Sequence, residues 1–224
     1  MEIIIFFTAL FLSLSLLTET LGIWARVLGA YNHEPTTGYS THVRIATTGR
    51  FFILLSAPTI GYLVDSHVAS NEIALIGFYT FLIILLSIIV FFKYGIQHFH
   101  KIYKFINRKT TIESIDKDMI KIAKFDKIFF IWVFLSFLFT GTGVIVVNYL
   151  ATIFPDLRAM IVQMSAVLTM FGTIIHVYLI DPRLSKAADN NKELLLSYTV
   201  SFLYSRAMSS IVLAILFVTL ALVS

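Results

Sequence analysis

The sequence predicts an all-α polytopic membrane protein of about six transmembrane helices. Of its 224 residues, 58% are hydrophobic and only 13% are charged, and the mean hydropathy is +0.88. A soluble domain needs about a quarter of its residues charged to cover its surface, so that class is excluded. The long apolar runs lack the alternation of a lipid-facing barrel strand. In hydrocarbon their backbones can therefore satisfy their hydrogen bonds only as helices.

The predicted spans follow one another as windows of about 20 apolar residues, the length that crosses a bilayer. We expect the chain, residues 1–224, to form a single transmembrane domain. The spans are predicted near residues 3–26, 43–64, 72–92, 128–150, 158–180 and 196–223.

The connections between these spans alternate in basic content. The loop 93–127 carries nine lysines and arginines, whereas the connections 65–72 and 150–157 carry none. Basic connections stay on the cytoplasmic side of a membrane. We therefore expect a cytoplasmic loop 93–127 and both termini outside.

The same loop has apolar residues at helical spacing, with lysines on another face. Ile112, Ile115, Met119 and Ile122 form the apolar set, and the basic set is Lys117, Lys121 and Lys124. This pattern is typical of an interfacial helix on anionic lipid. The alternative is a topology determinant with no further role.

Charged residues within the spans are the strongest functional signal, because each costs about 2.5–3.5 kcal/mol in the bilayer centre. Such residues must face the interior of the bundle and find partners there. Spans one, two, five and six carry them on faces with small and polar residues, and we expect these four spans to enclose a polar interior. The third span is expected to be lipid-facing support. The faces contain Thr8, Ser15, Glu19, Gly22 and Arg26; Ala46, Arg50, Ala57, Gly61 and Asp65; Ser165, Thr169, Gly172 and His176; and Thr199, Arg206 and Ser210.

The interior charges predict an anionic ligand. Glu19 against Arg26, Arg50 and Arg206 leaves an excess of two positive charges within the spans, which low dielectric would penalise without an anionic guest or water. Arginine binds phosphate oxygens through paired hydrogen bonds. Arg26, Arg50 and Arg206 are therefore the candidate binding residues for a phosphate or pyrophosphate headgroup.

Further residues are candidates for supporting roles. Glu19, Asp65, His176 and Asp181 are the candidate counter-charges or coupling groups, while Pro58 and Gly61 are a candidate hinge. The alternatives are structural: charged pairs that only hold helices together, glycines that only allow close packing, and a histidine that only packs.

Several kinds of chemistry find no support in the sequence. There are no cysteines, and the signatures of zinc hydrolases, serine hydrolases and P-loop ATPases are absent. We therefore expect no catalytic residue, no metal, no cofactor and no enzyme activity. The formal charge of +4 is explained by topology, so nucleic acid is not an expected partner.

Three stretches combine charged, small and proline residues in distinctive patterns. Residues 50–65 carry Arg50, Ala57, Pro58, Gly61 and Asp65, residues 20–29 read TLGIWARVLG, and residues 181–189 read DPRLSKAAD, with Ser205 and Arg206 further on. These stretches resemble the Amj family, the bacterial lipid II flippases that act as an alternative to MurJ. Residues 20–29 are similar to the first helix of that family, and residues 181–189 with Ser205 and Arg206 are similar to its last loop and helix. Residues 67–160 agree only in hydropathy.

The resemblance implies a multi-pass protein of the bacterial cytoplasmic (inner) membrane, active in peptidoglycan synthesis, cell-wall biogenesis and cell shape. It would move lipid II, the undecaprenyl-pyrophosphate-linked precursor, from the cytoplasmic to the outer leaflet. The expected partners are lipid II or a related polyprenyl-pyrophosphate lipid, the membrane lipids and, for so small a bundle, a second copy as a homodimer. Three alternatives stay open. They are transport of another polyprenyl-phosphate-linked lipid, a non-catalytic assembly subunit, and an intramembrane enzyme using Asp65, His176 and Asp181 as acid and base.

Overall fold

The structure is a computed structural model that describes residues 1–109, 111–113, 115, 119–120 and 123–224. In these residues the regular secondary structure is entirely helical, which confirms the predicted all-α membrane class. The helices are α1 (Glu2–Gly22), α2 (Trp24–Tyr31), α3 (Pro35–Asp65), α4 (Ser70–Val90), α5 (Ile96–Asn107), α6 (Lys127–Ile153), α7 (Arg158–Ile175), α8 (Asp181–Asn190) and α9 (Lys192–Val223).

Several of these helices join into longer runs. A π-helical segment, Phe91–Gly95, connects α4 to α5, and a second, His176–Ile180, connects α7 to α8. Among the described residues, five runs are long and apolar enough to cross a membrane: Glu2–Tyr31, Ser70–Asn107, Lys127–Ile153, Pro155–Asn190 and Lys192–Val223. Helix α3 is equally long but less apolar, because it carries charged and hydroxyl side chains over the predicted second span.

The centre of the bundle is formed by α4 and α9, and the expected support role of the third span is wrong. Helix α4 packs along α9 and also contacts α1 and α6. Phe81 of α4 is fully buried and stacks on Phe217 of α9, with ring centroids 5.8 Å apart. A helix that is apolar on every face fits a buried position as well as a lipid-facing one, so hydropathy does not distinguish the two.

Helix α7 lies at the periphery, which corrects the expectation that the fifth span lines the interior along its length. It packs against α6, and the buried residues along α7 are only Ile161 and Gly172. The contact with α6 is close, because a Cβ on Gly172 would come within 2.6 Å of the Ser136 carbonyl oxygen. Ser136 Oγ donates to the Gly172 carbonyl at 2.8 Å. Gly172 is thus a packing residue.

Close backbone contact also fixes α2 and α3 against each other. A Cβ on Gly38 would lie 2.7 Å from the Ala25 carbonyl oxygen and 2.8 Å from Gly29 Cα. The turn between the helices contains His33 with a φ of 58°. This hairpin brings the beginning of α3 beside α2, at the end of the bundle that also carries α5, α8 and the described residues of the loop 93–127. We call this end the basic end.

Two hydrophobic clusters divide the interior. One combines residues of α1, α3, α4, α6 and α9, and the other, at the basic end, combines α2, α5, α8 and the first turns of α6 and α9. Ile115 is buried in the second cluster, so this residue of the predicted interfacial helix faces protein. Lys117, Lys121 and Ile122 of that predicted helix lie outside the described residues.

Candidate functional site

A fully buried arginine lies where the two hydrophobic clusters meet. Arg206 of α9 packs its guanidinium carbon 4.3 Å from the ring centroid of Phe137 and 4.8 Å from that of Phe202. These rings belong to different clusters. Arg206 Nη2 donates to Glu19 Oε1 of α1 at 2.9 Å. The Glu19 side chain retains 39% exposure, so the pair joins a buried cation to an accessible carboxylate.

A second buried arginine is held by three helices. Arg26 of α2 is 3% exposed, and its Nη2 donates to Asp181 Oδ1 at 2.6 Å. Its Nε donates to His42 Nδ1 of α3 at 2.9 Å, so this histidine nitrogen is an acceptor and the imidazole is neutral. The Tyr39 ring covers the guanidinium, with its centroid 4.7 Å from the guanidinium carbon.

The two arginines belong to one charged cluster. His176 connects them, because its Nε2 lies 3.6 Å from Asp181 Oδ1 and the ring interacts electrostatically with Glu19. We use the name charged cluster for Glu19, Arg26, His42, His176, Asp181 and Arg206. Its members come from α1, α2, the beginning of α3, the π-helical segment His176–Ile180, the first residue of α8, and α9.

Three guanidinium nitrogens of the charged cluster have no hydrogen-bond partner among the residues that the structure describes. Nε and Nη1 of Arg206 and Nη1 of Arg26 are buried and unbonded. Unpaired buried donors cost free energy, more so when they carry charge. These nitrogens are almost fully enclosed, so an oxygen acceptor could bond them only after the packing around them opens.

The expected excess of positive charge is not found in the charged cluster. Its two arginines are matched by the carboxylates of Glu19 and Asp181, and His42 accepts from Arg26 as a neutral ring. The prediction is wrong because Asp181 lies beyond the apolar window of the fifth span, so a count within the windows omits it. Each arginine of the charged cluster is thus balanced by one carboxylate, and what remains unused is the hydrogen-bonding capacity of the three guanidinium nitrogens.

Arg50 lies apart from the charged cluster. It is exposed on α3, which corrects the expectation of an interior position. Four- and seven-residue steps place Arg50, Ala57 and Gly61 on one face of this helix. Ala57 and Gly61 line a groove of about 500 Å³ between α3, α6 and α7. Arg50 therefore lies on the face of α3 that borders this groove, nearer the basic end.

The far end of the groove is crossed by an ion pair. Arg158 Nη1 of α7 donates to Asp65 Oδ1 of α3 at 2.8 Å, so Asp65 is bound there and does not reach the charged cluster. Helix α3 continues unbroken through Pro58, which is exposed. A Cβ on Gly61 would meet no atom within 4 Å, so close packing does not explain this glycine.

Sequence reasoning missed His42 and Arg158. His42 is not among the predicted candidates because it lies one residue before the predicted second span. It shares a helical face with Ala46 and Gly49, and this shared face is the signal in the sequence that indicates it. Arg158 is the first residue of the predicted fifth span and follows a connection without basic residues, so nothing in its surroundings indicated a partner. In the described part of the chain, no three acidic or histidine side chains form a group that could hold a metal ion.

Comparison with known proteins identifies the family. The family described as "Amj: Alternate to MurJ" matches residues 85–223, more than half of the chain. The chain belongs to the Amj family. No curated protein and no solved structure matches it. The Amj match contains His176, Asp181 and Arg206 of the charged cluster, and it extends the likeness through a middle region where the sequence suggested hydropathy alone.

Proposed function

We propose that this Amj family member is a lipid II flippase, which moves the undecaprenyl-pyrophosphate-linked peptidoglycan precursor from the cytoplasmic to the outer leaflet. Family membership supports the proposal. The observation that carries it is the set of three unpartnered N–H donors on two buried arginines, Arg26 and Arg206. A pyrophosphate offers several acceptor oxygens, and guanidinium groups bind such oxygens strongly.

The carboxylates would act as exchangeable counter-charges. Each arginine is already paired with one carboxylate of the chain itself, Glu19 or Asp181. Once the packing around them opens, a pyrophosphate can bind the free donors first and then compete for the occupied ones. Glu19 is suited to give way because its side chain is 39% exposed and is therefore less confined than the fully buried Arg206. His176, beside Asp181, would balance the added negative charge when it is protonated.

The groove between α3 and α7 is the proposed path for the headgroup. Arg158 lines it at one end, and Arg50 lies beyond its other end, toward the basic end, on the same face of α3 as Ala57 and Gly61. The polyprenyl tail would remain in lipid, since much of the surface of α7 is apolar and exposed. Pro58 and Gly61 remain the proposed hinge by which α3 widens the groove.

The proposed orientation follows the positive-inside rule. The basic end would face the cytoplasm of a bacterial inner membrane and both termini would lie outside. The chain would form one transmembrane domain, and a homodimer remains the proposed assembly. Because Arg26 and Asp181 are near the basic end, the charged cluster would receive its lipid from the cytoplasmic leaflet.

Complementation tests the function directly. In cells depleted of their other lipid II flippase, wild-type protein should restore growth, whereas Arg26→Gln and Arg206→Gln should not. Arg44→Gln is the matched control, because Arg44 is exposed on α3 and lies outside the charged cluster. Protein levels are measured by immunoblot. Growth restored by both cluster variants would refute the arginine mechanism.

Labelled lipid II separates the remaining alternatives. A flippase changes the leaflet and leaves the covalent structure intact, whereas an enzyme using Asp65, His176 or Asp181 would release a new product. A transporter of another polyprenyl lipid would leave lipid II in the inner leaflet. A non-catalytic assembly subunit would not restore growth in cells depleted of their other flippase, and it would not move lipid II in proteoliposomes of purified protein.

A further inference from the structure

Helix α5 extends the third span beyond the thickness of a bilayer. The run Ser70–Asn107 contains 38 residues and is about 57 Å long at 1.5 Å per residue. A bilayer with its headgroups is about 40–45 Å thick. Since α4 alone is long enough to cross the hydrocarbon, α5 begins near its edge and lies in the headgroup region and the adjacent water.

One side of α5 is tied to the protein and the other is free. Ile96, Phe99 and Tyr103 are buried in the cluster at the basic end. On the opposite side Ile102 is exposed, and Phe105 is 85% exposed. An aromatic residue so fully exposed at the end of a membrane span is typical of contact with the lipid interface.

The exposed end of α5 forms a basic recess, which we define by Lys101, Lys104, Phe105, Ile106, Arg108 and Lys109. Its volume is about 760 Å³. Arg108 has a left-handed φ of 52° and ends the helix, which folds Arg108 and Lys109 back toward Lys104. The Lys109 amide donates to the Lys104 carbonyl at 3.1 Å.

Three cations of the basic recess have no acidic partner among the residues that the structure describes. Lys109 pairs with Glu34 of the α2–α3 turn, and this hydrogen bond holds the pKa of the Glu34 carboxyl below its usual value. Lys101, Lys104 and Arg108 have no such ion pair in the described ranges. The recess therefore combines uncompensated positive charge with an exposed aromatic ring.

We propose that the basic recess binds an anionic phospholipid of the adjacent leaflet. Its phosphate would contact Lys101, Lys104 and Arg108, and its acyl chains would lie beside Phe105 and Ile102. Basic clusters directly after a membrane span bind anionic lipid by this charge complementarity. The site is separate from the charged cluster, shares no residue with it and does not depend on the proposed transport.

Native mass spectrometry of the purified full-length protein tests the proposal. The protein in neutral detergent is titrated with dioleoyl phosphatidylglycerol and, in parallel, with dioleoyl phosphatidylcholine. We expect phosphatidylglycerol to bind at least tenfold more tightly. The variant K101Q/K104Q/R108Q should lose at least tenfold of that affinity, because three cations near an anionic surface act together.

A matched variant controls for overall charge. K124Q/K127Q/K186Q removes the same number of exposed cations from the basic end but leaves the basic recess intact, and it should bind phosphatidylglycerol as the wild type does. Equal loss in both variants, or no loss in the first, would overturn the proposal. Melting temperatures of both variants within a few degrees of wild type show that they are folded.

Photo-crosslinking identifies the occupant in cells. Phe105→p-benzoylphenylalanine places the crosslinker at the exposed rim of the basic recess. A lipid adduct of phospholipid mass is expected, and it should disappear when K101Q/K104Q/R108Q is combined with the probe. A protein adduct in its place would overturn the proposal and indicate a docking partner.

Discussion

Replacing Arg206 with lysine separates positive charge from guanidinium geometry. The ammonium keeps the charge and can reach Glu19, but it is a single donor atom that cannot replace the spaced nitrogens of the guanidinium. Nε and Nη1 of Arg206 are its two nitrogens without a hydrogen-bond partner among the described residues. Hydrogen bonds to charged groups contribute about 1.5–3 kcal/mol each. Loss of both bonds to a pyrophosphate would cost at least about 3 kcal/mol, a weakening of more than about 100-fold.

The assay measures binding and stability on the same preparations. Purified wild type, Arg206→Lys and the control Arg44→Lys are titrated with undecaprenyl pyrophosphate in detergent by native mass spectrometry, and their melting temperatures are recorded. We expect Arg206→Lys to lose more than about 100-fold in affinity while it stays folded, and Arg44→Lys to bind as the wild type does. Wild-type affinity in Arg206→Lys would refute the reasoning.

Four further changes test other parts of the structure. Gly38→Ala should destabilise the protein by about 1–3 kcal/mol through overpacking, because the added Cβ meets backbone atoms. Gly61→Ala should leave stability unchanged, because its Cβ points into open space. Chemical denaturation measures both variants, and equal stability of the two would contradict the close α2–α3 contact. His42→Gln should support growth, because its amide oxygen can accept the hydrogen bond from Arg26. His42→Lys should not support growth, because it places a second cation beside that guanidinium. Growth of the lysine variant at normal abundance would contradict the conclusion that Arg26 needs an uncharged acceptor at this position. The chain has no native cysteine, so a reducible crosslink can join Asp65→Cys to Arg158→Cys alone. If the groove between α3 and α7 must widen during transport, the crosslink should stop transport and reduction should restore transport. Full activity of the crosslinked protein would exclude that widening. Acidification should release Lys109 from Glu34. The Lys109 hydrogen bond lowers the pKa of the Glu34 carboxyl, so the pair stabilises the folded protein above the usual titration range of a carboxyl and is lost as the pH falls through the lowered pKa. Hydrogen exchange at Lys109 that stays constant throughout an acid titration, after correction for intrinsic rates, would contradict this.

Hydropathy and charge predict the helical membrane class and most members of the charged cluster. Five of the six members of this cluster are candidates from the sequence, because a charge within an apolar helix needs a partner in the bundle. These members are Glu19, Arg26, His176, Asp181 and Arg206. The family resemblance also rests on residues of this cluster, and the match over residues 85–223 confirms the family.

The pairing of helices could not be predicted in the same way. A helical face shows which residues point together but not which neighbour they meet. Arg50 and Asp65 share a face with small residues just as Arg26 does, yet α3 turns that face to the groove. The sequence also did not predict the central position of α4, because a helix that is apolar on every face does not indicate which face packs against protein.

Leaflet accessibility of lipid II tests the proposed flippase function most directly. In cells without other lipid II flippases, the precursor exposed on the outer leaflet is quantified by a headgroup-cleaving probe, with wild-type protein or with Arg26→Gln/Arg206→Lys at equal abundance. We predict exposed lipid II with the wild type and accumulation in the inner leaflet with the double variant. Equal exposure with both proteins would contradict the role of the buried arginines in moving this lipid.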